Sequence, residues 1–185
     1  AASHLHFACH GFYNWADPMQ SGLLLAEREP LTLAQIIGQF KLDGTRLVTL
    51  SACETGITDI RQSPDEYLGL PAGFLQAGAP AVVSSLWAVN DLSTMLLMER
   101  FYQLYLHEGQ DLPEALQHAQ IWLRDITAGE LAMRFAAEEE GALHTLIRMP
   151  IDAASESFTR FAAQDPAHRP FAHPFYWAAF TFSGA

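Results

Sequence analysis

The sequence is poor in cysteine and in positive charge, and it has no long apolar run. Its 185 residues include 2 cysteines, and 10 Lys and Arg stand against 21 Asp and Glu, for a net charge of −11. Two cysteines cannot build a disulfide framework, so we expect a reducing, cytoplasmic environment. Because nucleic acids bind to basic surfaces, the acidic balance argues against a nucleic-acid partner. No apolar stretch reaches the roughly 20 residues of a membrane-spanning helix, so no membrane span is expected.

Half of the residues are hydrophobic, and the chain is long enough to bury a core. Strand-like runs alternate with helix-like runs, which predicts an α/β fold around a largely parallel sheet. The predicted strands cover residues 3–9, 21–25, 46–50, 81–87 and the closing apolar run 174–182. The predicted helices are a brief one opened by the capping box Thr32-x-x-Gln35, one over 67–77 that Pro71 interrupts, one over 92–106 capped by Asn90 or Asp91, and one over 111–126.

The segment from 127 to 170 differs from the rest of the chain. It contains the acidic run Glu138–Glu140 and has prolines at positions 150, 166 and 170. We interpret it as an insertion in, or an excursion from, a single domain, with one or two helices.

Two short motifs carry the candidate chemistry: HFACHG at His6–Gly11 and SACETG at Ser51–Gly56. Each motif lies at the end of a short apolar run. Since parallel strands of an open α/β sheet place their carboxyl ends at one edge, Cys53 and His10 are predicted to lie side by side. A thiol needs a neighbouring base to attack an amide at neutral pH, and His10 is suited to that role and to protonating the leaving amine.

The small residues of the motifs fit the same hypothesis. The backbone N–H groups of Gly11 and Cys53 are candidates for binding the developing oxyanion, because glycine lets the backbone approach a substrate closely. Each residue alone also has an ordinary structural interpretation. A free cysteine is usually a small buried hydrophobe, and a lone histidine is usually structural, so the two motifs by themselves leave catalysis open.

A metal site is the other interpretation of the first motif, because His4, His6, Cys9 and His10 lie within seven residues. On a strand the three histidines would share one face and Cys9 would lie on the other. No second cluster of Cys and His with zinc-finger spacing follows. We therefore predict no metal and no cofactor.

Both motifs resemble the CHAT family of caspase-like domains, which are often attached to tetratricopeptide repeats. The resemblance continues through several further stretches in the same order. These are GLPAGFLQAGA at 69–79, SSLWAVND at 84–91, parts of the two following helices, and HPFYWAAF at 173–180. Only the segment 127–170 contains no motif that clearly matches the family.

The resemblance implies a caspase–haemoglobinase-like α/β/α sandwich and a cysteine peptidase with a Cys–His dyad. It makes Cys53 the nucleophile and His10 its partner, with a protein or peptide as substrate and an upstream repeat segment or partner as regulator. Relatives carry strands before the histidine strand, so the chain is expected to be the C-terminal portion of a single domain without those strands. Cys9 stands where the family more often has threonine, which places a second thiol close to the dyad.

Substrate preference is predicted from Asp91, which lies at the end of the loop that follows the strand predicted over 81–87. The similar loop of separase carries an acidic residue that binds arginine, so the resemblance implies a basic residue before the cleaved bond. The alternative is that Asp91 only caps the following helix. Glu54 is next to the nucleophile and either contributes to substrate binding or is a solvated loop charge.

A non-catalytic role is the alternative from another functional class. The same fold can serve as an interaction or signalling module, and an intact dyad does not by itself demonstrate activity.

Overall fold

The structure, a computed structural model, describes residues 2–26, 29–51, 69–139 and 150–185. The chain divides into two compact units, one of residues 1–89 with 179–185 and the other of residues 90–178. Strands concentrate in the first unit and helices in the second. The predicted α/β class with a largely parallel sheet is confirmed.

The first unit contains two sheets. Its strands are β1 (His4–Phe7), β2 (His10–Phe12), β3 (Gly22–Leu24), β4 (Pro30–Thr32), β5 (Leu47–Leu50), β6 (Ala81–Ser85) and β7 (Phe180–Gly184). The larger sheet has the order β1-β5-β6-β7, in which β1, β5 and β6 run parallel and β7 runs antiparallel to β6. The smaller sheet, β2-β3-β4, is antiparallel throughout.

Two short helices, α1 (Leu33–Gln39) and α2 (Leu70–Gln76), belong to the hydrophobic core of this unit. The predicted capping box opens α1: the Gln35 N–H donates to the Thr32 hydroxyl and the Thr32 N–H donates to the Gln35 side chain. The two helices approach closely at Gly73, where a Cβ would lie 2.2 Å from the Leu33 side chain. The largest side chain of the core is Phe74, which is fully buried and contacts the ring of Phe7.

The helix predicted over 67–77 begins at Leu70 in the structure, and residues 67–68 lie outside the described residues. Pro71 was expected to interrupt this helix, and that expectation is wrong. Pro71 lies in the first turn, where the missing N–H costs no hydrogen bond and the fixed φ favours helix initiation.

The second unit is helical. Its helices are α3 (Asp91–Tyr102), α4 (Leu112–Asp125), α5 (Ala128–Glu139), α6 (Ile151–Ala162) and α7 (Pro174–Trp177). A π-helical turn over Gln103–His107 extends α3, and the chain then turns at Gly109 with a φ of +70°. A row of aromatic rings contributes to the packing of this unit: Phe135 of α5 stacks on Phe161 of α6, which contacts Phe171 edge to face.

The closing run was predicted as one core strand over 174–182, and the structure corrects this. Residues 174–177 form the short helix α7, and the strand β7 begins only at Phe180. Pro174 lies in the first turn of α7, and the His173 ring accepts a hydrogen bond from the Phe175 N–H at 3.2 Å. This cap and proline initiate a helical turn that the apolar character of the run does not indicate.

The segment 127–170 contains α5 and α6, in agreement with the one or two helices expected there. Residues 140–149 lie outside the described residues. No helix in the described part of the chain combines the length and the apolar character needed to cross a membrane.

Candidate active site

The candidate site begins with the pairing of β1 and β5. Every residue of β1 lies opposite the β5 residue 43 positions further along the chain, from His4 with Leu47 to Phe7 with Leu50. His10 and Cys53 are separated in sequence by the same 43 positions, each three residues beyond the end of its strand. Cys53 and Glu54 lie outside the described residues.

Ser51, the first residue after β5, is still hydrogen-bonded to β1. The Ser51 N–H donates to the Phe7 carbonyl at 3.1 Å, so the backbone pairing continues one residue past the strand. The Ser51 hydroxyl also lies 2.7 Å from Nε2 of His6. His6 lies opposite Thr49 in the parallel ladder, and Ser51 is two residues after Thr49, so all three lie on one face. The side chains of His6 and Ser51 can therefore meet.

His6 is an exposed residue whose ring is nevertheless partly desolvated by the surrounding protein. This desolvation lowers the pKa of His6 from its ordinary value of 6.5. The neutral imidazole is therefore favoured at neutral pH. Depending on the tautomer, Nε2 of a neutral ring either accepts a hydrogen bond from the Ser51 hydroxyl or donates one to the hydroxyl oxygen.

His10 does not continue β1, although the sequence predicted one strand over residues 3–9. The chain leaves the larger sheet after Phe7, and His10 is the first residue of β2, where it pairs with Leu24 of β3. Gly11 follows in the same strand, opposite the fully buried Leu23. The smaller sheet therefore holds the backbone of His10 and Gly11, while the His10 side chain is exposed.

The central strand of the smaller sheet is tightly packed against its neighbour. A Cβ built on Gly22 would lie 2.3 Å from the Leu31 carbonyl oxygen of β4, which is closer than atoms can approach. Only glycine allows this contact, which lets β4 pair closely with β3, the strand that in turn pairs with the strand of His10.

Cys9 is not part of the exposed site. It is half-buried, and it packs against the apolar core cluster that includes Val48 and Phe74. Desolvation raises the pKa of the Cys9 thiol, which favours the neutral and less reactive form. Among the residues that the structure describes, no group of three His, Cys, Asp or Glu side chains is arranged to hold a metal ion.

Asp91, the predicted specificity residue, lies in the second unit at the start of α3. The helix cap is Asn90, whose side-chain oxygen accepts a hydrogen bond from the Ser93 N–H at 3.1 Å. Asp91 is exposed in the first helical turn. The capping role proposed as an alternative for Asp91 therefore belongs to its neighbour.

The sequence profile of the CHAT domain matches residues 1–185. The chain belongs to the CHAT family. A comparison with the curated proteins finds no match.

CHAT domains are classed with the caspase-like proteases, and the largely parallel sheet of this CHAT domain is consistent with a caspase-like sandwich. The match also covers the segment 127–170, in which no family motif was recognised from the sequence. That segment is therefore part of the region that the family profile describes.

Sequence reasoning did not assign a role to Ser51, and it considered His6 only as a metal ligand. The sequence nevertheless contained an indication that both residues lie near the site. The alternation of a strand places His6 on the same face as His4, and the two motifs of the CHAT domain place Ser51 two residues before Cys53. The register of β1 on β5, which brings these two side chains together, cannot be deduced from the sequence alone.

Proposed function

We propose that this CHAT domain is a cysteine endopeptidase in which Cys53 is the nucleophile and His10 is its catalytic partner. The observation that supports this most directly is the parallel pairing of β1 and β5 with an offset of 43 residues. Since parallel strands end at the same edge of a sheet, the segments that lead to His10 and Cys53 begin side by side there, at Phe7 and Leu50.

The proposed reaction is acyl transfer to sulfur. His10 takes the thiol proton of Cys53, and the thiolate attacks the carbonyl carbon of the scissile peptide bond. The imidazolium of His10 then gives the proton to the leaving amine as the C–N bond breaks, which leaves a thioester on Cys53. Water hydrolyses the thioester and restores the free thiol.

The developing oxyanion would be bound by the backbone N–H groups of Gly11 and Cys53. Gly11 is suited to this because it follows His10 directly in β2 and has no side chain to obstruct a substrate. Removing one such donor commonly costs about 10²–10³ in kcat.

The substrate would be a protein or peptide with Arg or Lys before the cleaved bond. Asp91 would bind that basic side chain, with Glu54 as a second acidic group close to the nucleophile. Two observations support this preference: Asn90 rather than Asp91 caps α3, and the chain carries a net charge of −11. An upstream regulatory segment or partner would control access to the site, in keeping with a cytoplasmic protease of a regulated signalling or defence pathway.

The test is a cleavage assay with the full-length protein and a mixed peptide library, in which the cleavage sites are sequenced. Cys53→Ala and His10→Ala should abolish cleavage because they remove the nucleophile and its partner. Cys9→Ala is the matched control, since it removes the other thiol of the chain from the edge of the core, and it should retain cleavage.

Cleavage that persists in Cys53→Ala would show that the nucleophile is a different residue. A complete absence of cleavage by the wild-type protein, with every upstream segment present, would favour the non-catalytic interaction module instead.

A further inference from the structure

The hydrogen bond between His6 and Ser51 connects the two strands that precede the catalytic residues. His6 lies in β1 four residues before His10, and Ser51 directly follows β5, two residues before Cys53. Their side chains meet at 2.7 Å, at the point where the regular pairing of the two strands ends with Phe7 and Leu50.

This location matters because the chain of β1 leaves the larger sheet just beyond it. After Phe7 the chain crosses to the smaller sheet, where it pairs with β3. Strand ends are held by few backbone hydrogen bonds, so a side-chain bond at the exit restricts their relative movement more than one in the middle of the ladder. A nucleophile and its base require that restriction, since a misplacement of about 1 Å can cost about 10²-fold in rate.

The chemistry of the pair suits a positioning role rather than a direct catalytic one. Nε2 of His6 is already engaged by the Ser51 hydroxyl, and desolvation favours the neutral ring. A neutral imidazole adds no charge beside a thiolate or an imidazolium. The bond therefore aligns the two strand exits without altering the charge of the groups that react.

His4 shows what is particular about His6. It lies on the same strand and the same face, two residues earlier, but its Nδ1 is 2.9 Å from the hydroxyl of the adjacent Ser3. That bond joins two residues adjacent in sequence, whereas the His6 bond crosses from β1 to the residue that follows β5.

We propose that His6 and Ser51 are positioning residues, whose hydrogen bond fixes the spacing of the strand exits that carry His10 and Cys53. This inference rests on the proposed cysteine peptidase function. It adds two residues to the site that act through the dyad and do not themselves contact substrate.

The experiment measures kcat and KM of His6→Ala, Ser51→Ala, the double variant and His4→Ala in the full-length protein. We expect His6→Ala and Ser51→Ala each to lower kcat by about 10²-fold, because both disturb the alignment of the reacting groups. KM should change by less than about threefold, because uniform substrate binding is not affected. The double variant should lose no more than His6→Ala alone, since the two substitutions remove the same bond.

Rescue separates positioning from a general loss of structure. In His6→Gln the side-chain amide can occupy the place of Nε2 and hydrogen-bond to Ser51, so much of the activity should return. His4→Ala should retain the wild-type kcat. If His6→Ala fails to fold, the positioning role can be tested with Ser51→Ala alone, because this variant removes the same hydrogen bond with the loss of fewer side-chain atoms.

A second readout needs no turnover: the rate at which iodoacetamide alkylates Cys53, measured against pH. A thiol aligned with His10 forms its thiolate at lower pH than a free cysteine, and loss of alignment in His6→Ala and Ser51→Ala should shift the profile to higher pH. A wild-type kcat and an unchanged alkylation profile in both variants would overturn the positioning role. Cleavage that survives Cys53→Ala would instead overturn the peptidase assignment, so the two failures are distinguishable.

Discussion

Gly22 of β3 and Leu31 of β4 lie so close that the Leu31 carbonyl oxygen is 2.3 Å from the point where a Cβ on Gly22 would stand. Both strands belong to the smaller sheet, and Gly22 also pairs with Phe12 of the strand that carries His10 and Gly11. The backbone of the candidate site therefore depends on a glycine that is distant from it in sequence.

Gly22→Ala is expected to destabilise the fold by about 1–3 kcal/mol, because the added methyl group meets a backbone atom that cannot rotate away. Urea unfolding measures the loss. The matched control is Gly38→Ala in α1, an exposed position with nothing within 4 Å of the new Cβ. That change should be neutral or stabilise by up to about 1 kcal/mol, since alanine favours a helix. Equal stability of the two variants would contradict the close approach.

Stability should fall as the pH decreases through the titration of His6. The pKa of His6 is lowered in the folded protein, so below pH 6.5 the unfolded chain binds a proton that the folded chain resists. The contribution of His6 is therefore complete above pH 6.5 and is lost as the pH falls towards its folded pKa. Urea unfolding of the wild type and of His6→Gln between pH 5 and pH 7.5 measures the effect. The variant should show a shallower dependence, and parallel curves would count against a lowered pKa.

Cys9 should be a slow thiol in the native protein. Its half-buried position against the core raises its pKa, so the thiolate fraction at pH 7.5 is smaller than in a free cysteine. In Cys53→Ala, where Cys9 is the remaining cysteine, alkylation should proceed more slowly than for N-acetylcysteine. Unfolding in urea provides the control, because it should bring the rate to the free-thiol value. A native rate above that of the free thiol would place Cys9 among the reactive groups.

Asp91→Asn should reduce cleavage after Arg by about 10- to 100-fold in kcat/KM, the cost of losing a charge-assisted hydrogen bond. Matched peptides with Arg, Lys or Asp before the cleaved bond measure the preference. Asp111→Asn serves as the control, because Asp111 is also exposed and lies at the start of α4 as Asp91 does at the start of α3, and the substitution makes the same change in charge. An equal effect of both substitutions would point to the net charge of the domain rather than to a pocket at Asp91.

The sequence correctly predicted helices and strands that are determined by neighbouring residues, such as a capping box or a short apolar run. The capping box of Thr32 and Gln35 opens α1 as expected, and the apolar run at 47–50 forms a buried parallel strand. Residues 174–177 were misassigned because an apolar run fits a core strand and a helical turn equally well. The cap from His173 and the position of Pro174 decide between them.

The motifs predicted the residues of the proposed dyad, but they could not predict the structure around those residues. His6 and Ser51 are 45 positions apart, and no local pattern links them. Their contact depends on the register of two strands, which is determined by the packing of the whole sheet. The same limit applies to His10, which was expected to follow a continuous strand and instead belongs to the second sheet.

The strand register has a consequence for how such sites evolve. The ladder of β1 and β5 aligns the two exits, so the length of the connecting chain between them does not determine their separation. Insertions or deletions in the exposed turns between residues 13 and 46 would change the number of intervening residues while leaving the ladder intact. Homologues with the same site are thus better recognised by the three-residue step from each strand end than by any fixed interval between histidine and cysteine.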